Sequence, residues 1–170
     1  MKLNTMVHPA ITKDVMGIIY KRRSVRSYKE TPVTTEDLET ILNAGRMAPS
    51  ALNMQPWRFY VVSKQEILIP LGRDIARLST KEMIKAGPAN IFHAAAHFLH
   101  FSGGIQKLRN EMAIFHGAPV VIFITADKNN EWAAIDIGMC AENMMLAAKS
   151  LGLDSCPIGL AKFAGKSKNY

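Results

Sequence analysis

The sequence predicts a chain of mixed helices and strands on three observations. Two short runs rich in β-branched and aromatic residues, Arg58–Val62 and Val120–Ile124, have the length and composition of strands. Four longer stretches carry apolar residues at helical spacing. Prolines and glycines cluster between them, where they end one element and start the next. The 170 residues, 48% hydrophobic and 21% charged, suffice for a single domain over 1–170 with its own core, without disulfides or a structural metal.

The first helix is predicted from Thr12, its N-cap, to Arg22, with Val15, Ile18 and Ile19 on one face. Ser24–Tyr28 reads as extended. A second helix follows Pro32: Thr34 and Asp37 form a capping pair, Leu38, Ile41, Leu42 and Gly45 keep helical spacing, and Pro49 sets the limit. Ser50–Pro56 is a polar turn before the first strand. Ser63 and Glu66 then resemble a capping box opening a helix to about Leu78, with Pro70 as a kink or restart.

Residues 81–116 fit neither period cleanly. Pro119–Thr125, with five uninterrupted apolar residues from Val120 to Ile124, predicts a strand buried on both faces. The last long helix places Ile137, Cys140, Ala141, Met144, Ala148 and Leu151 on one side and Met139, Met145 and Leu146 on the other. Asp136, Glu142 or Asn143, and Lys149 form its thin polar stripe, and Gly152 ends it.

The longest N-terminal apolar run, Val15–Tyr20, is too short for a signal peptide, and nothing approaches the roughly 20 residues of a membrane helix. Cys140 and Cys156 read as two reduced thiols, and the expected location is the cytoplasm. The net charge of +7 suits anionic partners, but no long basic stripe with interleaved aromatics points to nucleic acid. Arg22-Arg23-Ser24-x-Arg26 is a compact anion site at most, since guanidinium groups and a hydroxyl can hold one phosphate.

Three further segments accompany it in order. Pro49-Ser50-Ala51-Leu52-Asn53-Met54-Gln55-Pro56-Trp57 precedes the first strand, Gly117-Ala118-Pro119 opens the second, and Leu151-Gly152-Leu153-Asp154-Ser155-Cys156-Pro157-Ile158-Gly159 follows the last helix. The ordered set resembles the nitroreductase family of FMN enzymes from about Ile18 to Gly159, with little carried by 67–113. That resemblance implies a three-layer α+β sandwich, a central mixed or antiparallel sheet with helices on both faces. It implies an intertwined homodimer with a flavin site at each end of the interface.

By the same resemblance, Arg22, Arg23 and Ser24 would hold the phosphate and ribityl end, and Arg26 would lie near the pyrimidine edge. Pro49, Ser50, Ala51, Asn53 and Gln55 would line ring and tail from the other subunit, and Pro157, Ile158 and Gly159 would pass along the remaining face. NADH or NADPH would be the exchanging co-substrate, and a nitroaromatic, quinone or similar small-molecule acceptor would take its place in a ping-pong cycle. No residue acts as a covalent catalyst in this reading. The absence of any G-x-G agrees with a nicotinamide that visits as a substrate. Related sequences usually run well beyond the equivalent of Gly159, whereas here Leu160–Tyr170 remain, which implies a shortened C-terminal segment.

Individual residues also have plainer readings. Asn53 and Gln55 suit hydrogen bonds within their own loop, Trp57 suits a core, Asn143 suits packing, and Glu142 is given no role. The rival from another class is a metal-binding protein using His93, His97 and His100, which fall at i, i+4 and i+7, although packed or exposed helix histidines are commoner. A non-catalytic flavin-binding relative is the other alternative. Gly165-Lys166-Ser167 lacks the spacing of a phosphate loop, since five residues separate Gly159 from Gly165.

Overall fold

The computed structural model describes residues 15–85 and 114–167. Its elements in order are α1 (Val15–Lys21), α2 (Thr35–Arg46), a 3₁₀ turn (Ala51–Asn53), β1 (Arg58–Val62), α3 (Gln65–Lys85), β2 (Val121–Thr125), α4 (Ala133–Ser150) and a closing 3₁₀ helix (Gly159–Lys166). β1 and β2 pair in an antiparallel sheet, two-stranded among the described residues. The chain forms two compact units.

Among the described residues the first unit gathers 15–25, Val33–Tyr60 and Ile124–Cys156. α2 starts as its sequence predicts: the Thr34 hydroxyl accepts from the Asp37 amide at 3.1 Å and donates to the Asp37 carboxylate at 2.7 Å. That satisfies one of the donors a helix start leaves open. α2 packs along α4, burying Ile41, Gly45, Cys140, Met144 and Ala148, and α1 lies against α4 as well. Trp57 is buried, which gives it the core role read for it.

α4 ends in a Schellman motif. The Gly152 amide bonds the Lys149 carbonyl and the Leu153 amide bonds the Ala148 carbonyl, with Gly152 at φ 83, a backbone conformation that glycine adopts without penalty. Asp136 departs from the expected polar stripe, because it is 1% exposed.

Among the described residues the second unit comprises 26–32, 61–85, 114–123 and 157–167. Its core is a stripe on α3, Leu68, Leu71 and Ile75, closed by Phe115 and flanked by Val62, Ile114, Val121, Phe123, Leu160, Phe163 and Ala164. The i, i+3, i+7 spacing continues to the buried Ser79, whose hydroxyl donates to the Ala76 carbonyl at 2.8 Å, so α3 passes the expected stop near Leu78. Pro70 neither breaks nor restarts it: lying within the second turn, it removes only one amide. The start also differs, with the Ile67 and Leu68 amides bonding the Lys64 carbonyl and so placing the cap on Lys64, not Ser63.

β2 begins at Val121 and is half-buried instead of covered on both faces; among the described residues a single strand pairs with it. Ser24–Tyr28 forms no strand, and Ser24 makes one parallel bridge to Ser155. Thr12 and residues 86–113 of the ambiguous stretch 81–116 lie outside the described residues.

Candidate functional site

The basic corner is built where α1 ends. The Arg22 amide still bonds the Ile18 carbonyl at 2.9 Å, and three residues later the Val25 amide bonds the Ser155 carbonyl at 3.1 Å. Arg22 is therefore held between a helix end and a bridge. Its Nε lies 3.6 Å from Oε1 of Glu142 on α4, too long for a hydrogen bond but close enough for attraction between charges. Its Nη1 is buried with no acceptor among the described residues, and the same holds for Oγ of Ser155 opposite Ser24.

Each orphaned donor is costly unless an acceptor arrives. Arg23 is exposed and turns back, its Nη1 donating at 2.7 Å to the carbonyls of Tyr20 and Arg22, where it caps the carbonyl end of α1.

The second segment is a tight, strained loop. The Ser50 hydroxyl accepts from the Gln55 amide at 2.9 Å, the Asn53 amide bonds the Ser50 carbonyl, and Gln55 Nε2 donates to Asn53 Oδ1 at 3.2 Å. Asn53 and Gln55 thus make the local bonds their plainer reading foresaw. Leu52, Asn53 and Gln55 have φ of 51, 55 and 46, left-handed values that cost non-glycine residues about 1–2 kcal/mol each, less for Asn. Pro49 and Leu52 are exposed, Leu52 at 92%.

What fixes this loop to the fold is Asp136. Its Oδ1 accepts from the Ala51 amide at 3.1 Å across 85 residues, while its Oδ2 is buried without a donor among the described residues. Six residues further along α4, about 9 Å at the helical rise, stands Glu142. One helix thus anchors both the arginine corner and the loop. Asn143, next to Glu142, donates to the Ala44 carbonyl on α2 at 3.2 Å. Neither Asp136 nor Glu142 was a site candidate from sequence; the available signal was a carboxylate within an otherwise apolar helix.

The remaining expected site residues belong to the second unit. Arg26 is half-buried; Pro157 and Gly159 are exposed, and Ile158 caps the closing 3₁₀ helix through its carbonyl, which accepts from the Ala161 amide at 3.1 Å. An added Cβ at Gly159 would meet nothing within 4 Å. Gly117 adopts φ 75 next to His116 at φ 56, which makes the turn into β2. His93, His97 and His100 lie outside the described residues, and among the described residues no three His, Cys, Asp or Glu side chains form a metal-binding group.

The nitroreductase family model matches residues 19–165, a span that holds the arginine corner, the loop and both anchors on α4. The chain belongs to the nitroreductase family. It is 28% identical to the 4-nitrobenzoate reductase of Pseudomonas putida over 94% of this chain and 79% of that one. An FMN-dependent nitroreductase from Clostridium difficile R20291 superposes with a TM-score of 0.64 at 32% identity, over 85% of this chain and 60% of that one. The FMN-dependent nitroreductase NfnB of Mycobacterium smegmatis, solved with NADPH, gives 0.69 at 27% identity over 89% and 77%.

The fold is therefore the α+β fold of the nitroreductases, in a chain shorter than these relatives. No described helix is long and apolar enough to cross a membrane.

Proposed function

We propose that this nitroreductase-family chain binds FMN and acts as an NAD(P)H-dependent oxidoreductase on nitroaromatic, quinone or similar conjugated acceptors. The observation that carries the reading is Nη1 of Arg22, a buried cationic donor with no acceptor among the described residues. A phosphate monoester suits such donors, since it offers negative charge and several acceptor oxygens. The FMN-dependent and NADPH-bound relatives support the same cofactor and co-substrate. Bound FMN would supply two-electron hydride chemistry.

Within that reading Arg22, Arg23 and Ser24 hold the phosphate and ribityl end. With Nη1 of Arg23 engaged by carbonyls, Arg22 carries the larger share. Arg26 supplies positive charge at the pyrimidine edge, which favours the reduced, anionic ring. Pro49, Ser50, Ala51, Asn53 and Gln55 line the partner subunit's site, and Pro157, Ile158 and Gly159 offer backbone to the remaining face.

A homodimer is consistent with exposed apolar side chains such as Val15 and Tyr20 on α1 and Leu52 and Met54 on the loop. Nicotinamide and acceptor alternate at one position, so ping-pong kinetics are expected.

The test is the visible spectrum of the protein after loading with FMN and desalting, followed by anaerobic NADH or NADPH. A retained flavin band that bleaches with either nucleotide is expected. Loss of the band on the column, or no bleaching with either, refutes the reading. Mixing inactive Arg22→Ala and Asn53→Ala subunits should restore part of the activity if sites are shared between subunits, and none if each site lies within one chain.

A further inference from the structure

We infer that Asp136 is a positioning residue for the proposed cofactor loop, holding Ser50–Gln55 through a single hydrogen bond to the Ala51 amide. Asp136 is 1% exposed, yet the only described donor to its carboxylate is that amide, at 3.1 Å. A buried carboxylate left with an oxygen unpaired is costly, and an apolar helix face has no packing need for one. Its contribution is on the loop side.

The three left-handed residues make the loop a strained conformation that must be imposed from outside. The loop's own bonds, Ser50 to Gln55 and Gln55 to Asn53, close it on itself but do not tie it to the fold. The Asp136 bond does, at the first residue of the 3₁₀ turn, where a carboxylate accepts well from an amide that the turn leaves open. The site is thereby assembled before any ligand arrives. Binding then costs less ordering, so the bond tunes affinity and leaves the chemical step alone.

The affinity readout rests on the flavin reading, whereas the loop readout does not. Hydrogen exchange of the peptide 49–57 is measured in the whole chain without ligand, alongside FMN dissociation constants and kcat at saturating FMN. Asp136→Ala should speed exchange across Ser50–Gln55 and weaken FMN by about tenfold, with kcat within about twofold. Asp136→Asn keeps the Oδ1 acceptor and should return both to within about threefold of the parent.

Ala51→Pro removes the donor at the first position of a helical turn, where proline is accepted. It should weaken FMN as Asp136→Ala does, and the double variant should be no worse than either alone. Unchanged loop exchange in Asp136→Ala, an asparagine variant as poor as the alanine one, or additive losses in the double variant would overturn the inference. If Asp136→Ala does not fold, the asparagine and proline variants decide it. A parent chain that fails to bind FMN defeats the flavin reading and leaves the exchange result to judge the loop.

Discussion

Replacing Gly45 with alanine sets two magnitudes against each other at a close contact between α2 and α4. An added Cβ would stand 2.8 Å from Met144 Cγ, 2.9 Å from Met144 Sδ and 3.1 Å from Cys140 Sγ. Unstrained heavy-atom contacts lie at about 3.5–4.0 Å, so the overlap is close to 1 Å against two buried side chains. Alanine gains about 1 kcal/mol of helix propensity, and overpacking a core costs about 1–3 kcal/mol. The atoms met are in mid-chain of Met144 and at the buried end of Cys140, not at a free tip, so overpacking should win by about 1 kcal/mol.

In a chain of this size that lowers Tm by about 2–4 °C, measurable by calorimetry or by urea unfolding with an unchanged m value. Met144→Ala opens space at the same spot, and its combination with Gly45→Ala should be milder than the sum by at least about 0.5 kcal/mol. A Gly45→Ala variant with a raised Tm and additive behaviour would show that propensity prevails and that the two helices are not in tight contact.

Other outcomes follow from single groups. Thr34→Ala should cost about 1 kcal/mol in urea unfolding, and no loss would deny the cap its role. Ile75→Ala, in the core of the second unit, should cost about 2–5 kcal/mol, with a value below 1 showing that Phe115 and Leu68 close over the space. Burial pushes the Cys140 thiol from 9.0 up to about 11. Its neutral form is favoured by folding, so its contribution is intact below pH 9 and is lost as the pH rises through 11. At pH 8 a thiol reagent should therefore modify half-buried Cys156 well before Cys140, and equal rates would contradict that environment.

The parts of the fold legible in the sequence are those decided locally. Thr34 with Asp37, the β-branched run Arg58–Val62 and Gly152 each specify a cap, a strand or a stop through neighbours a few residues away, and each falls where expected. Pro70 followed the same local rules and was overridden, because the apolar stripe of α3 gains more from continuing than one missing amide costs, while the expected Ser63 cap falls one residue later, on Lys64. In the site, the arginines and the loop were legible as motifs. Their anchors were not: Glu142 and Asp136 act on partners far away in sequence, and no local spacing distinguishes a carboxylate that faces water from one that accepts from a distant amide.

The closing 3₁₀ helix gives the second unit a long wait during synthesis. Leu160, Phe163 and Ala164 help cover the stripe on α3, with Ser167 bonding Asp74 and Lys166 pairing with Glu82, so partners to Leu68–Ile75 leave the ribosome some ninety residues after it. At about 5–20 residues per second that interval is about 4–18 s, during which the apolar face of α3 is incompletely covered. Chaperone demand in the cell should therefore concentrate on α3, and slowing translation downstream of it should lower soluble yield more than slowing it upstream.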